Sequence, residues 1–127
     1  MIHGIGTDVC RVERFERMLE RYGERAARRV LGGRELSEFS SVVHPARFLA
    51  RRFAAKEAFA KAIGTGIREP VFLSAMQVGH DGLGKPFMEC GGALAAMMSS
   101  AGLTAHLSIS DEEDLAVAFV VIERSVA

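Results

Sequence analysis

Cysteine, proline and aromatic residues are scarce in this sequence of 127 residues, and tryptophan is absent. The cysteines, Cys10 and Cys90, have no CxxC spacing, so we expect free thiols rather than a disulfide framework. The histidines are scattered without zinc-ligand spacing, so metal chemistry would have to use carboxylates. The longest apolar run, 115–122, is far shorter than the roughly 20 residues of a membrane helix. Fibrous, disulfide-rich and membrane-spanning proteins are therefore excluded.

Residues 1–127 have the composition of one globular domain. Apolar residues make up 49% of the chain and charged residues 25%, a balance at which a chain of this length buries a core. Residues 1–6 lack the basic head and long apolar stretch of a signal peptide, so we interpret them as the first folded element. We therefore expect a soluble protein of the cytoplasm with no membrane partner.

The net charge of zero conceals an uneven distribution of charge along the chain. Residues 1–68 contain 14 of the 16 lysines and arginines but 8 acidic residues, whereas residues 69–127 contain 2 basic and 8 acidic residues. The first part therefore carries +6 and the second −6, which indicates that the basic part meets an anionic ligand or partner. A pI of about 6.9 argues against nucleic acid as this partner.

Hydrophobic periodicity predicts helices mainly in the first half and strands mainly in the second. The predicted elements are a strand at 2–7, helices at 12–22, 34–40 and 47–63, strands at 71–78 and 86–90, a helix at 93–101, and strands at 104–110 and 115–123. Pro45 suits the first turn of the long helix, which stops at Gly64. This order favours an α+β fold in which an antiparallel sheet packs against the long helix and shorter helices. The last strand is apolar on both faces, so it lies either at the centre of the sheet or against another subunit.

The segment 51–64 of the long helix carries the most informative charges. Glu57 and Lys61 are one turn apart and share a face with Ala50 and Ala54. Small residues allow another element to approach this face, so both charges would be partly buried and would need a metal ion, an anion or a partner. An ordinary surface pair of glutamate and lysine explains the same spacing and is the more common use of it.

Asp8 follows the first predicted strand, where the chain turns towards a helix. An aspartate at such a position commonly caps the helix N-terminus. A carboxylate at a strand end also suits a hard cation, and Asp8 with Glu57 and water would suit Mg²⁺ bound to a phosphate substrate. Spacing alone favours the cap and leaves the metal site open.

Two turns near the middle of the chain could contact a phosphate. Gly64 and Gly66 could present backbone amides to it, although the end of the long helix is sufficient to explain Gly64. Lys85 precedes Pro86 in the turn between two predicted strands, where a lysine is usually solvated. Each of these signals is weak when taken alone.

The strand predicted at 104–110 alternates cleanly between polar and apolar residues. His106, Ser108 and Ser110 share one face, and the apolar residues share the other. The polar face either binds a polar ligand or faces water.

Arginines recur at three- and four-residue steps along the first helical region and just beyond it, forming an arginine stripe of Arg14, Arg17, Arg21, Arg25 and Arg28. Interleaved glutamates relieve the repulsion between these arginines, so a solvated face of mixed charge remains open. The functional alternative is a docking surface for an acidic macromolecule. RNA is disfavoured as the partner because aromatic residues do not interleave with the stripe.

Several of these segments together resemble a known family. They are Ile5-Gly6-Thr7-Asp8, the block Arg52-Phe53-Ala54-Ala55-Lys56-Glu57-Ala58-Phe59-Ala60-Lys61-Ala62, the turn Gly84-Lys85-Pro86, and His106-Leu107-Ser108-Ile109-Ser110 followed by Ala116-Val117-Ala118. Their order and spacing resemble those of the holo-[acyl-carrier-protein] synthases, the short bacterial type of 4′-phosphopantetheinyl transferase. The resemblance covers essentially the full chain.

This resemblance implies a 4′-phosphopantetheinyl transferase-like fold and a Mg²⁺-dependent enzyme. Such an enzyme moves the 4′-phosphopantetheine arm of coenzyme A onto a serine of apo acyl carrier protein, releases adenosine 3′,5′-bisphosphate and supports fatty acid biosynthesis. Asp8 and Glu57 match the family's Mg²⁺ ligands, and Lys61 matches the lysine beside the same phosphates. Glu57 or a water held at the metal would take the serine proton.

Other matched positions concern binding. The resemblance places in the nucleotide site Gly64, Gly66, Lys85, Pro86, His106 and Ser108. Arg14 and Arg21 match the basic helix that docks the acidic carrier protein. Short members of the family form trimers whose active sites lie between subunits, which implies a homotrimer.

The chain departs from the family pattern in one place. Many relatives have histidine after position 110, whereas this chain has Asp111 and Glu112. A general-base role for that histidine therefore does not transfer, and whether either carboxylate replaces it is open.

A rival hypothesis is a coenzyme A or nucleotide-binding module that has lost turnover. Such a module would lack a metal carboxylate or the lysine, whereas Asp8, Glu57 and Lys61 are all present.

Overall fold

The structure, a computed structural model, describes residues 1–126 and has the α+β architecture that the sequence predicts. Its elements in chain order are β1 (Ile2–Arg11), α1 (Val12–Tyr22), α2 (Glu24–Val30), α3 (Gly33–Phe39), α4 (Pro45–Ile63), β2 (Met76–His80), β3 (Pro86–Cys90), α5 (Gly92–Ala101), β4 (Leu103–Glu112) and β5 (Leu115–Arg124). Within residues 1–126, β1, β5 and β4 form an antiparallel sheet in that order, and β2 pairs with β3 in a hairpin. Helix α4 packs on one face of the three-stranded sheet.

Strand β5 lies at the centre of this sheet, as one of the two sequence interpretations requires. The residues of β5 that face α4 are buried, and they are Ala116, Ala118, Val120 and Ile122. The opposite face is more open, because Phe119 is 44% exposed. The apolar character of β5 on both faces is therefore only partly explained by contacts within residues 1–126.

Helix α4 approaches β1 so closely that the strand requires glycine. Gly4 and Gly6 face the helix, where an added Cβ would collide with the carbonyl oxygens of Ala62 and Ala58 respectively. Both alanines are buried and add little volume to the contact. Because backbone packs against backbone here, no rotation of a flexible side chain can make room for a larger residue.

A buried cluster of charged side chains lies on a different side of α4. Lys56 and Glu35 are fully buried, and Arg52 is nearly so. Lys56 Nζ lies 2.6 Å from Glu35 Oε1, and Arg52 Nε lies 3.4 Å from Glu35 Oε2. These pairs join α3 to α4 away from water, where each is stronger than it would be at the surface.

The first strand is longer than the sequence predicts, and this changes the role of Asp8. Strand β1 continues to Arg11 because it pairs with β5 as far as Leu115. Asp8 is therefore a strand residue and not the N-cap of α1. Arg11 occupies the cap position, and its side chain makes no capping hydrogen bond.

One other prediction is corrected. The strand predicted at 71–78 is a 3₁₀ turn at Leu73–Ala75 followed by β2; the Ala75 amide donates to the Phe72 carbonyl oxygen within this turn, and the Leu73 carbonyl accepts a hydrogen bond from Lys56. The first helix ends before Gly23 as predicted, where a φ of +57° separates α1 from α2, so the arginine stripe continues past its end.

The long helix and the thiols follow the prediction. Pro45 occupies the first turn of α4, and Gly64 ends the helix in the left-handed conformation with a φ of +100°. Cys10 and Cys90 are free thiols, and burial raises the pKa of each to about 11. No helix within residues 1–126 is long and apolar enough to cross a membrane.

The contact of α4 with β1 predicts that Gly6→Ala destabilises the fold. We expect the free energy of unfolding to fall by about 3 kcal/mol, because the added methyl group meets a rigid helix backbone. Urea denaturation followed by circular dichroism measures the change. The matched control is Gly82→Ala, which has open space around it and should change stability by less than about 0.5 kcal/mol. Equal stability of the two variants would contradict the close packing.

Candidate active site

The approach of α4 to β1 brings Asp8 next to Lys61. Side chains alternate along a strand, so Asp8 lies on the same face of β1 as Gly4 and Gly6, which faces the helix. Lys61 Nζ donates hydrogen bonds to Asp8 Oδ1 at 3.2 Å and to the Thr7 carbonyl oxygen at 2.9 Å. The Asp8 side chain is 16% exposed and that of Lys61 is 54% exposed, so the pair sits at the edge of the contact and is open to a ligand.

Glu57 lies one helical turn before Lys61 and is half-buried. Burial is the main cause that raises the pKa of Glu57, and the Asp8 charge raises it further, while Lys61 and Arg14 oppose both. The two carboxylates are therefore close enough to repel each other. Among the ion pairs within residues 1–126, Lys61 pairs with Asp8 and Glu57 takes part in none. The interpretation of Glu57 and Lys61 as an ordinary surface pair is thus wrong.

The donor set of this site fits Mg²⁺. Asp8 and Glu57 supply carboxylate oxygens, which are the hard ligands that Mg²⁺ prefers. In the described part of the chain, no group of three or more His, Cys, Asp or Glu side chains is arranged to hold a metal ion. Two carboxylates suffice for an ion that takes its other ligands from water and substrate phosphates.

Arg14 lies near the acidic pair formed by Asp8 and Glu57, and its charge is among those that lower the pKa of Glu57. Its guanidinium carbon is 4.8 Å from the ring centroid of Phe53, which stands one turn before Glu57 on α4. A second ring, that of Phe15, lies 5.6 Å away. The two rings thus hold the guanidinium by cation–π contacts.

The arginine stripe divides into paired and unpaired members. Arg17 pairs with Glu13 and Arg28 with Glu24, each at the i,i+4 spacing. Ion pairs within residues 1–126 include none of Arg14, Arg21 and Arg25. Arg21 and Arg25 instead lie over the Tyr22 ring. The mixed-charge surface therefore retains arginines that can meet an external carboxylate.

Gly64 and Gly66 use their backbone amides to end α4. Both amides donate to the Ala60 carbonyl oxygen, at 3.1 and 3.3 Å. Their positive φ values allow the chain to turn away from the helix at this point. This geometry accounts for both glycines as a helix terminus.

His106 and Ser108 lie on the other face of the sheet from Asp8. They pair with Val121 and Phe119 of β5, whereas Asp8 pairs with Ala118, one residue out of phase. His106 Nε2 lies 2.6 Å from Glu123 Oε1. Within one chain, His106 and Ser108 therefore do not meet Asp8 and Glu57.

Lys85 and Pro86 lie at the end of the β2–β3 hairpin, and the Lys85 amide donates to Asp81 Oδ1 at 2.9 Å. Pro86 helps to line a small cavity of about 190 Å³, whose other lining residues are Arg51, Arg52, His80, Gly84, Ile109 and Asp111. Of the two alternative base candidates, Asp111 pairs with Arg51 at 3.6 Å and Glu112 is exposed. Neither forms part of the pair made by Asp8 and Glu57.

The sequence reasoning missed the roles of Lys56 and Glu35. A signal was present, because Leu49, Arg52, Lys56 and Phe59 fall at i, i+3, i+7 and i+10 along α4. This spacing places two cations on the same helical stripe as two core residues.

Comparison with known proteins identifies the class of group-transfer enzyme to which the chain is related. A model of the 4′-phosphopantetheinyl transferase superfamily matches residues 4–120. The chain therefore belongs to this superfamily.

Within the superfamily, the chain is similar to the holo-[acyl-carrier-protein] synthases. The synthase of Laribacter hongkongensis is 56% identical over 97% of this chain and 99% of its own. The crystal structure of the Neisseria meningitidis synthase has a TM-score of 0.94 at 48% identity and covers 98% of this chain and 100% of its own. The Bacillus anthracis synthase, solved in complex with CoA (3′,5′-ADP), has a TM-score of 0.82 at 37% identity, over 98% of this chain and 99% of its own.

Proposed function

We propose that this chain transfers the 4′-phosphopantetheine group of coenzyme A to a serine of apo acyl carrier protein. The products are holo acyl carrier protein and adenosine 3′,5′-bisphosphate, and the holo carrier serves fatty acid biosynthesis in the cytoplasm. The observation that carries the proposal is the convergence of Asp8, Glu57 and Lys61 where β1 meets α4. This convergence places two carboxylates and one ammonium group beside an open surface, in a chain that belongs to this superfamily.

Asp8 and Glu57 would hold Mg²⁺ through their carboxylate oxygens. When bound, Mg²⁺ neutralises negative charge on the coenzyme A pyrophosphate. Lys61 stands on the same side and would direct its ammonium group to a phosphate oxygen. Because its side chain is half exposed and long, Lys61 can exchange the Asp8 oxygen for a phosphate oxygen without movement of α4.

Glu57 is our candidate for the base that takes the serine proton. The carrier's serine Oγ forms a bond to the β-phosphorus, and the bond from that phosphorus to the bridging oxygen of the pyrophosphate breaks. The bridging oxygen leaves with adenosine 3′,5′-bisphosphate, while the serine proton passes to Glu57.

Intact-mass analysis of apo acyl carrier protein tests this function. After incubation with the chain, coenzyme A and Mg²⁺, we expect the carrier to gain one phosphopantetheine group. EDTA should prevent the gain, and Glu57→Ala should abolish it, because each removes a part of the metal site. Circular dichroism checks that the variant remains folded. Full transfer by a folded Glu57→Ala variant would refute the assignment of Glu57.

The nucleotide part of coenzyme A would bind along Gly64, Gly66, Lys85, Pro86, His106 and Ser108 in our proposal. Since the sheet separates His106 and Ser108 from Asp8 within one chain, two copies would together supply these groups. The outer face of the sheet supports such an assembly, because Ile5 is 60% and Val9 58% exposed beside Phe119 of the central strand. We therefore propose a homotrimer in which the copies cover these faces.

Mixing two inactive variants tests whether active sites are shared. We expect Glu57→Gln and His106→Ala to transfer poorly when each is prepared alone. If subunits exchange at equal amounts, about a third of the sites in mixed trimers, and about a quarter of all sites, combine an intact Glu57 with an intact His106 of a neighbouring copy, and activity returns accordingly. Native mass spectrometry establishes that mixed trimers have formed. Mixed trimers without recovered transfer would contradict a shared site.

Arg14 and Arg21 would dock the carrier protein. Arg14 lies beside Phe53 near Glu57, so an acidic partner held there would present its serine close to the reactive carboxylate.

The docking role predicts a selective effect of Arg14→Glu. We expect the KM for carrier protein to rise by at least about tenfold, because reversal of the charge converts attraction into repulsion. Coenzyme A affinity, measured by calorimetry, should change little. The KM of the unmodified chain should also rise with salt, and more steeply than that of the variant. Equal losses for both substrates would contradict a docking role.

A further inference from the structure

Lys56 is the residue before Glu57, and its ammonium group is fully engaged in the interior. Nζ donates hydrogen bonds to the Val30 carbonyl oxygen at 2.6 Å, to Glu35 Oε1 at 2.6 Å and to the Leu73 carbonyl oxygen at 2.9 Å. The side chain is fully buried. An ammonium group has three donors, so each N–H has an acceptor and the position of the group is determined.

Glu35 extends the network to two further backbone segments. Its Oε1 also accepts from the Gly32 amide at 2.9 Å, and its Oε2 accepts from the Val78 amide at 2.9 Å. The start of α3 and strand β2 are thereby held against the same point on α4. The centre of the network is the fully buried pair of Lys56 and Glu35, and Arg52 joins it from the Oε2 side of Glu35.

The Val30 contact connects this network to the arginine stripe. Val30 is the last residue of α2, whose carbonyl has no partner within the helix. The helix is only seven residues long and follows the left-handed Gly23, so it depends on tertiary contacts for its position. An ammonium group at the helix C-terminus satisfies the carbonyl and complements the helix dipole.

Helix α2 also forms part of a basic groove beside α1. This groove of about 450 Å³ is lined by Met18, Tyr22, Arg25, Ala26, Arg28 and Arg29. The α2 side of the groove is therefore held at one end by Lys56. The next residue along α4 is Glu57, the proposed acceptor of the serine proton. A shift of α2 would change the distance from the groove to Glu57.

We propose that Lys56, with Glu35, is a positioning residue that sets the distance between the arginine stripe on α1 and α2, which includes the docking residues Arg14 and Arg21, and the reacting group at Glu57. The inference rests on the proposed function, since it concerns where a bound carrier places its serine. A buried ion pair can be replaced by apolar side chains of similar volume without loss of stability. Apolar side chains cannot donate to the Val30 and Leu73 carbonyls, so the distinctive contribution of Lys56 is the placement of these segments.

The test compares Lys56→Met, the double variant Lys56→Met/Glu35→Leu, and the control Glu38→Gln. Glu38 touches the same cluster through Arg52, at 3.2 Å, but lies half exposed at its edge. For each variant, thermal unfolding gives stability, calorimetry gives coenzyme A affinity, and initial rates give kcat and KM for carrier protein.

We expect Lys56→Met to reduce kcat/KM for the carrier by between about 10-fold and about 100-fold, with coenzyme A affinity within about twofold of the unmodified chain. The double variant should regain stability over Lys56→Met, because it no longer buries the Glu35 carboxylate without its lysine and because Arg52 retains Glu38 at 3.2 Å. It should nevertheless keep the low kcat/KM. The Glu38→Gln control should leave kcat and KM unchanged.

Three outcomes would overturn the positioning role. They are unchanged kinetics in a folded Lys56→Met variant, recovery of kcat/KM together with stability in the double variant, and failure of both variants to fold, which would make the network purely structural. Absence of transfer by the unmodified chain is a different result and would refute the proposed function itself.

Discussion

The contact between backbone atoms of β1 and α4 is the constraint on which the rest of the structure depends. Gly4 and Gly6 allow the helix to lie directly on the strand, and Ala58 and Ala62 complete the contact from the helix side. Because this approach leaves no room for adjustment, it constrains the position of Asp8 relative to α4. The candidate active site is thus a direct consequence of small residues that have no chemistry of their own.

Two lysines of α4 show how helical geometry separates structural from chemical roles. Lys56 and Lys61 are five residues apart, which rotates their side chains by about 140° around the helix axis. Lys56 enters the interior, where burial lowers its pKa and the Glu35 carboxylate opposes that effect. Lys61 reaches the edge of β1, where it remains half exposed and pairs with Asp8. The helix therefore uses one cation to hold its neighbours in the interior and presents the other at the surface.

The division of charge along the sequence also acquires a spatial meaning. The basic first part supplies the arginine stripe on α1 and α2, where Arg14 and Arg21 make no ion pair within residues 1–126. Acidic residues at the end of β4 and in the following turn contact the basic start of α4, since Asp111 pairs with Arg51 and the Glu113 carbonyl accepts from Arg47. Some of the opposite charges thus neutralise each other inside the fold, while the stripe stays available to an acidic partner.

The sequence alone was sufficient for the elements whose signals are local. The start of α4 at Pro45, its end at Gly64 and the alternation of β4 follow from backbone chemistry and from side-chain period, which need no distant contact. Only the tertiary structure decided that Asp8 is a strand residue paired with Lys61, that the 71–78 segment is not one strand, and that Lys56 is buried. Each of these depends on a partner many positions away, Leu115 for the length of β1 and Glu35 and Leu73 for Lys56. Periodicity describes which face a residue occupies, whereas the identity of the group across from that face is set by how the elements pack.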